Sequence, residues 1–112
     1  MKTISWSDFE KVVICSGTII DVKDFPEARK PAYIITVDFG EDFGVKKSSA
    51  QITDLYSKED LLNKQVIGVI NFPAMQIGPV LSEFLITGLI QEDGSVVLAI
   101  PDKPVKNGLR LA

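Results

Sequence analysis

Followed for its alternation of apolar and polar positions, the 112-residue chain divides into six extended segments and two short helical ones. Val12–Phe25 is long and β-branched, and Ile20 and Val22 alternate with Asp21 and Lys23 in the period of a strand with one buried face. Gly17 in its middle predicts a bulge or tight bend, as at a barrel corner. Tyr33–Phe39 and Val45–Ile52 read as the second and third strands, joined across Gly40–Gly44. Gln65–Phe72 is nearly continuous in Val and Ile, which predicts a fourth strand buried on much of its surface. Phe84–Ile90 is the fifth, and Val96–Ile100 returns as a sixth after an Asp93-Gly94 turn.

The helical signals are brief. Ser7-Asp8-Phe9-Glu10 fits a capping box with Ser7 as N-cap. So short a helix must dock its Trp6 and Phe9 on something, either the domain's own core as a lid or a second subunit, and the lid is the favoured expectation. Asp54–Leu62 is helical in composition, with a second start signal at Ser57. The proline-containing tail Pro101–Ala112 reads as extended, with Leu109 and Leu111 in need of cover.

The order β-β-β-α-β-β, with extra elements at both ends, is that of an OB-fold. The fold class is therefore all-β with short helices: a five-stranded Greek-key barrel with N- and C-terminal extensions, a β-sandwich being the competing architecture. At this length one domain, residues 1–112, is expected. In an OB-fold, Phe25–Ala32 is the loop between strands 1 and 2, and Asn71–Glu83 is the loop between strands 4 and 5. Both border the usual ligand face. The second loop is unusual: Met75, Ile77, Val80 and Leu81 make it apolar, and it carries no charge before Glu83. Connectors normally meet water, so this one is either covered in a dimer interface or displays an apolar surface to a client.

Composition narrows the chemistry. Cys15 is the only cysteine and there is no histidine, which excludes an intrachain disulfide, a thiolate zinc cluster and a Ser-His or Cys-His nucleophile pair. Cys15, in an apolar strand, is expected to be an inert buried thiol. No glycine-rich phosphate loop appears. The expectation is a binding module with no cofactor and no metal, not an enzyme. No apolar run reaches the roughly 18 residues of a membrane span, and the first residues lack a signal-peptide core, so a cytoplasmic location without membrane insertion is expected. The net charge of −3 argues globally against a nucleic-acid binder, yet Arg29, Lys30, Lys46 and Lys47 lie in the regions where an OB-fold would use them.

Several runs then resemble a known group: Ser16-Gly17-Thr18-Ile19, Phe25-Pro26-Glu27-Ala28-Arg29, Ser48-Ser49-Ala50-Gln51-Ile52, Asn71-Phe72-Pro73 with Ile77, and Ser82-Glu83. In that order and over nearly the whole chain they resemble the tRNA-binding-domain family, and most of all its stand-alone CsaA-type members, described as export-related chaperones. The resemblance implies an OB-fold with terminal extensions, usually a homodimer. Its implied function is binding of tRNA or similar RNA with low sequence specificity. The alternative is the holding of unfolded secretory polypeptides through the apolar loop Met75, Ile77, Val80 and Leu81. The family usually has a charged Asp-Ile-Arg-type run before the glycine, where this chain has Val13, Ile14 and Cys15. It usually has arginines in the 4–5 loop, where this chain has Met75 and Gln76, and a polar residue where it has Leu81. Retained from the family's pattern are Arg29, Lys46, Lys47, Ser48, Ser49, Gln51, Asn71, Ser82 and Glu83; these without Glu83, together with Lys30, are the nine RNA- or ligand-contact candidates. Neighbours in a strand face opposite ways, so only one of Lys46 and Lys47 can lie on the binding face. Asn71 and Ser82 can hold the loop's backbone as readily as touch a ligand.

Overall fold

The computed structural model describes every residue, Met1–Ala112, and its pairing is organised around β1 (Ile14–Asp24). The second half of β1, Thr18–Asp24, pairs antiparallel with β2 (Tyr33–Asp38), and the first half, Ile14–Thr18, pairs with β4 (Gln65–Val69). β3 (Val45–Ala50) adds to β2 and β7 (Leu85–Ile86) adds to β4, giving the order β3-β2-β1-β4-β7. The sheet curls until its edges meet at Lys47 and Glu83. There the Glu83 N–H donates to the Lys47 carbonyl at 2.8 Å and the Lys47 N–H donates to Glu83 Oε1 at 3.1 Å. The product is a five-stranded, nearly closed barrel of the OB type. Ile19, Ile35, Val37, Phe39, Leu61 and Val66 fill it, and Phe39 meets Phe84 edge-on with ring centroids 5.0 Å apart.

The bulge in β1 is not at Gly17. The register shifts between Ile19 and Asp21, so Ile19 and Val22 point inward and Ile20 is exposed, not buried as simple alternation suggested. Gly17 is small for a different reason. A Cβ there would lie 2.5 Å from Val37 Cγ1 and 2.8 Å from Phe39 Cδ1, so the glycine lets core side chains approach the strand.

The first helix, α1 (Trp6–Glu10), is capped by Ser5 and not by Ser7. Ser5 Oγ accepts from the Asp8 N–H and Asp8 Oδ2 accepts from the Ser5 N–H, each at 3.1 Å, the same reciprocal box two residues earlier. The helix buries no residue. Trp6 remains 66% exposed and its ring lies against Phe9, centroids 5.4 Å apart; with no residue of the helix buried, α1 is not a lid on the core. The second helix, α2 (Lys58–Leu61), starts at the Ser57 signal through the equivalent box with Asp60, and residues 54–57 stay outside it. Its Leu61 is fully buried.

The apolar 4–5 loop contains a hairpin of its own, β5 (Met75–Ile77) with β6 (Val80–Ser82), turning at Gly78 and Pro79 with Gly78 at φ +55°. The predicted fifth strand is divided at Thr87. Its N–H and its hydroxyl both donate to the Ile67 carbonyl, while its own carbonyl accepts the Ala99 N–H. Beyond it the chain leaves the barrel as a second hairpin, β8 (Gly88–Ile90) with β9 (Val96–Leu98), which turns at Asp93-Gly94 as predicted. The tail is extended and occupies the edge of β1 that β2 leaves free. The Gly108 N–H donates to the Ser16 carbonyl at 2.8 Å, the Ser16 N–H to the Leu109 carbonyl at 2.9 Å, and the Leu111 N–H to the Ile14 carbonyl at 2.8 Å. The Arg110 guanidinium donates to the Glu10 carbonyl, placing a cation at the C-terminal end of α1. No helix is long and apolar enough to cross a membrane.

Candidate nucleic-acid interface

Three separated segments converge on one cleft of about 470 Å³: Glu27–Lys30 of the β1–β2 loop, Ser49 and Gln51 at the end of β3, and Ile77–Gly78 at the tip of the β5–β6 hairpin. Phe25 holds the first and third together. It is buried at the root of the loop, its carbonyl accepts the Ala28 N–H at 3.2 Å, and its ring lies where a Cβ on Gly78 would meet it at 3.8 Å. The proline-flanked loop thus turns back over an aromatic prop that also supports the hairpin tip.

The register decides which β3 side chains face outward. Ser48 and Ala50 are buried, so Lys47 and Ser49 project to the outer face, Lys47 opposite Thr36 and Ser49 opposite Ile34. Lys46 and Ser48 project to the other. Ser48 Oγ donates to the Phe84 carbonyl at 2.8 Å and lies 3.1 Å from Ser82 Oγ, so both hydroxyls are engaged within the barrel. Asn71 is engaged as well. Its Oδ1 accepts the Val13 N–H at 3.0 Å and its Nδ2 donates to the Lys11 carbonyl at 2.6 Å, clasping the segment between α1 and β1. Of the nine contact candidates, Arg29, Lys30, Ser49 and Gln51 line the cleft and Lys47 lies two residues along the same face. Lys46 faces away, and Ser48, Asn71 and Ser82 bond to the protein itself.

The cations differ in what they face. Lys11, Lys23 and Lys58 are in ion pairs with Asp8, Asp21 and Asp24, and the Asp24 hydrogen bond and charge raise the Lys58 pKa. Arg29, Lys30, Lys46 and Lys47 are in no ion pair, although Glu27 shares the cleft with the first two. On the hairpin, Met75 is 65% and Leu81 48% exposed, while Ile77 and Val80 are half-buried. The roles of Phe25 and Glu27 were missed in the sequence; Phe25-Pro26 at the end of a strand was the available signal. Cys15 is fully buried beneath the tail, and burial raises its thiol pKa against the opposing pull of Arg110. No group of three or more Cys, Asp or Glu side chains is placed to hold a metal ion.

A family model described as a putative tRNA binding domain matches residues 14–110. The chain belongs to that tRNA-binding family. Family relatives include methionine–tRNA ligases, that of Pyrococcus horikoshii being 38% identical over 112 residues and that of Thermococcus onnurineus 36% identical over 112 residues. Each alignment covers 99% of this chain but only 15% of the ligase, so the chain spans about a seventh of those proteins. Among solved structures it is similar to the CsaA chaperone protein of Picrophilus torridus, with 46% identity, a TM-score of 0.91, and coverage of 98% of this chain and 100% of the other. The CsaA chaperone of Bacillus anthracis is 38% identical with a TM-score of 0.93, covering 99% and 100%. The chain is thus a tRNA-binding domain of OB type, homologous to part of methionine–tRNA ligases and structurally similar to CsaA chaperones.

Proposed function

We propose that residues 1–112 act as one non-catalytic, cytoplasmic module that holds tRNA or similar RNA by its backbone, with low sequence specificity. The observation that carries this is the pairing of charges. Lys23 and Lys58 are ion-paired with Asp21 and Asp24, whereas Arg29 and Lys30 in the cleft and Lys47 beside it have no ion-pair partner. Unpaired cations beside hydroxyl and amide donors, here Ser49 and Gln51, suit phosphate and sugar contacts that carry little sequence information. So few cations imply modest affinity that falls steeply with salt. Titration of labelled tRNA at two salt concentrations tests this. Binding at low salt that weakens as salt rises supports it, and binding that is absent at low salt or indifferent to salt refutes it.

Two observations support a homodimer: α1 buries nothing of its own, and Trp6, Leu89, Val97, Leu109 and Leu111 are all exposed. Light scattering should find a particle near twice 12.3 kDa. The exposure of Met75 and Leu81 favours a second reading, in which the hairpin holds unfolded polypeptide. Replacing both with Ser should then abolish client holding and leave the dimer intact.

A further inference from the structure

Of the chain's asparagines, Asn63, Asn71 and Asn107, only Asn107 precedes a glycine. In an Asn-Gly pair the backbone nitrogen attacks the preceding side-chain amide most readily, because glycine has no Cβ to obstruct the approach. The pair lies in the tail, pressed between β1 and the β2–β3 loop. On one side the Gly108 N–H donates to the Ser16 carbonyl at 2.8 Å, and Thr18 Oγ1 donates to Asn107 Oδ1 at 2.7 Å. On the other, a Cβ on Gly108 would lie 2.6 Å from the Phe39 carbonyl oxygen, and one on Gly40 would lie 2.9 Å from that of Asn107.

Docking of the tail withholds this reaction in two ways. The nucleophile, Gly108 N, must shed the proton it donates to Ser16, and the electrophile, Asn107 Cγ, belongs to an amide held by Thr18. The flanking residues are clamped as well. The Gln65 side chain accepts the Val105 N–H at 2.9 Å and donates to its carbonyl at 2.6 Å, while the Ser16 hydroxyl donates to the Lys106 carbonyl at 2.7 Å and accepts the Leu109 N–H at 3.0 Å. All these bonds lie at exposed or half-buried positions, where a chain end opens locally without global unfolding.

We infer that Asn107-Gly108 is a deamidation site gated by the tail: silent while the tail is docked, and releasing the tail from β1 once it reacts through to isoaspartate. In the opened chain Gly108 N bonds to Asn107 Cγ and the Cγ–Nδ2 bond breaks. Nδ2 leaves as ammonia, carrying the Gly108 proton. Water then opens the cyclic imide at either carbonyl, giving aspartate or isoaspartate at position 107. The isoaspartate adds one carbon to the main chain, and the close approaches at Gly40 and Gly108 leave no space for it. Either product also places a carboxylate in the recess of about 410 Å³ that Asn107 shares with Glu41 and Asp42, where Lys106 is the one cation. Release uncovers Cys15, which is fully buried and pairs with Arg110 of the tail. A reversible opening is thereby made permanent.

The test compares the full chain with a synthetic peptide of residues 102–112 at mildly alkaline pH, by mass spectrometry with the modified position located by fragmentation. The peptide sets the ungated rate, and the folded chain should deamidate at position 107 at least about tenfold more slowly. Thr18→Val frees the Asn107 side chain, and Ser16→Ala with Gln65→Ala cuts the flanking clamps. Each should speed the reaction several-fold while keeping the circular dichroism of the parent. The isoaspartate form, separated by chromatography, should react with a maleimide at Cys15 at least about tenfold faster than the parent. Equal rates for chain and peptide overturn the gating, as do variants that react no faster than the parent. A rate that falls as protein concentration rises overturns it too, because a second subunit then supplies the protection. An isoaspartate form whose Cys15 stays as protected as the parent's overturns the release of the tail.

Discussion

The Ser48 hydroxyl sits 2.8 Å from the Phe84 carbonyl and ties β3 to the strand that follows the apolar hairpin. Its proton given to Phe84, Ser48 is left to accept from Ser82. Ser48→Ala therefore strands a buried carbonyl and removes a partner from Ser82. The expected cost is about 1–3 kcal/mol, measured as a lower urea midpoint with an unchanged slope. A loss below a few tenths would mean that water replaces the hydroxyl at no penalty.

Arg29→Ala and Lys30→Ala test the cleft directly. Each phosphate deprived of its cation should reduce the slope of log affinity against log salt by about 0.7 to 0.9. The double variant should thus lose about one and a half units of slope while its thermal midpoint stays put, since neither side chain is buried or paired. An unchanged slope would remove both residues from the interface.

Asn71 acts at a distance from the cleft. Asn71→Ala deletes both bonds of the clasp on Lys11 and Val13, at a cost of about 1 kcal/mol for each bond at this exposed site. Trp6 is the chain's only tryptophan, so its emission reports the loosening of α1. Weaker dimerisation in the same variant would place α1 in the subunit contact.

Gly17→Ala should be among the most damaging single methyl additions. The new Cβ meets Val37 and Phe39 side chains at 2.5 and 2.8 Å and the Asp38 carbonyl at 3.0 Å, so the core or the β1–β2 ladder must shift. A loss of about 1–3 kcal/mol in chemical denaturation is expected.

Two carboxylates give the stability a defined acid limb. Asp60 is held below the usual carboxylate value by the Ser57 backbone N–H and hydroxyl, and Asp93 by the Ser95 hydroxyl and N–H. A pKa depressed on folding contributes stability that is full above the unfolded value of about 3.9 and lost as pH falls through the folded value. Asp60→Asn and Asp93→Asn should therefore lower stability at pH 7, with the difference from the parent shrinking below about pH 4. A difference that is constant with pH would refute an electrostatic origin.

Much of the barrel was legible because its strands are long enough to show their period and its turns carry glycine. The Asp93-Gly94 turn and the Ser57 helix start stand where the sequence put them. What failed were choices between similar local signals. Ser5-x-x-Asp8 and Ser7-x-x-Glu10 are both capping boxes, and only the path of the preceding chain selects the first. Gly17 and Ile20 both sit in a bent strand, and the bulge falls at Ile20, where Ile19 opposite Val37 is followed by Asp21 opposite Thr36. At the site, the residue types pointed to the right loops, but a hydroxyl turned inward by strand parity, as at Ser48, looks the same in sequence as one turned outward at Ser49.

The sharing of β1 has a mechanical consequence. The chain enters at Ile14, and the tail returns to lie against Ile14 and Ser16, so both ends are fastened within three residues of each other. The loop that carries Arg29 leaves from the opposite end of this 11-residue strand, about 30 Å away at the usual rise. Polypeptide attached at either terminus would thus meet the barrel at a single root far from the cleft. Such a unit can be grafted, tethered or pulled without its mouth being blocked or distorted.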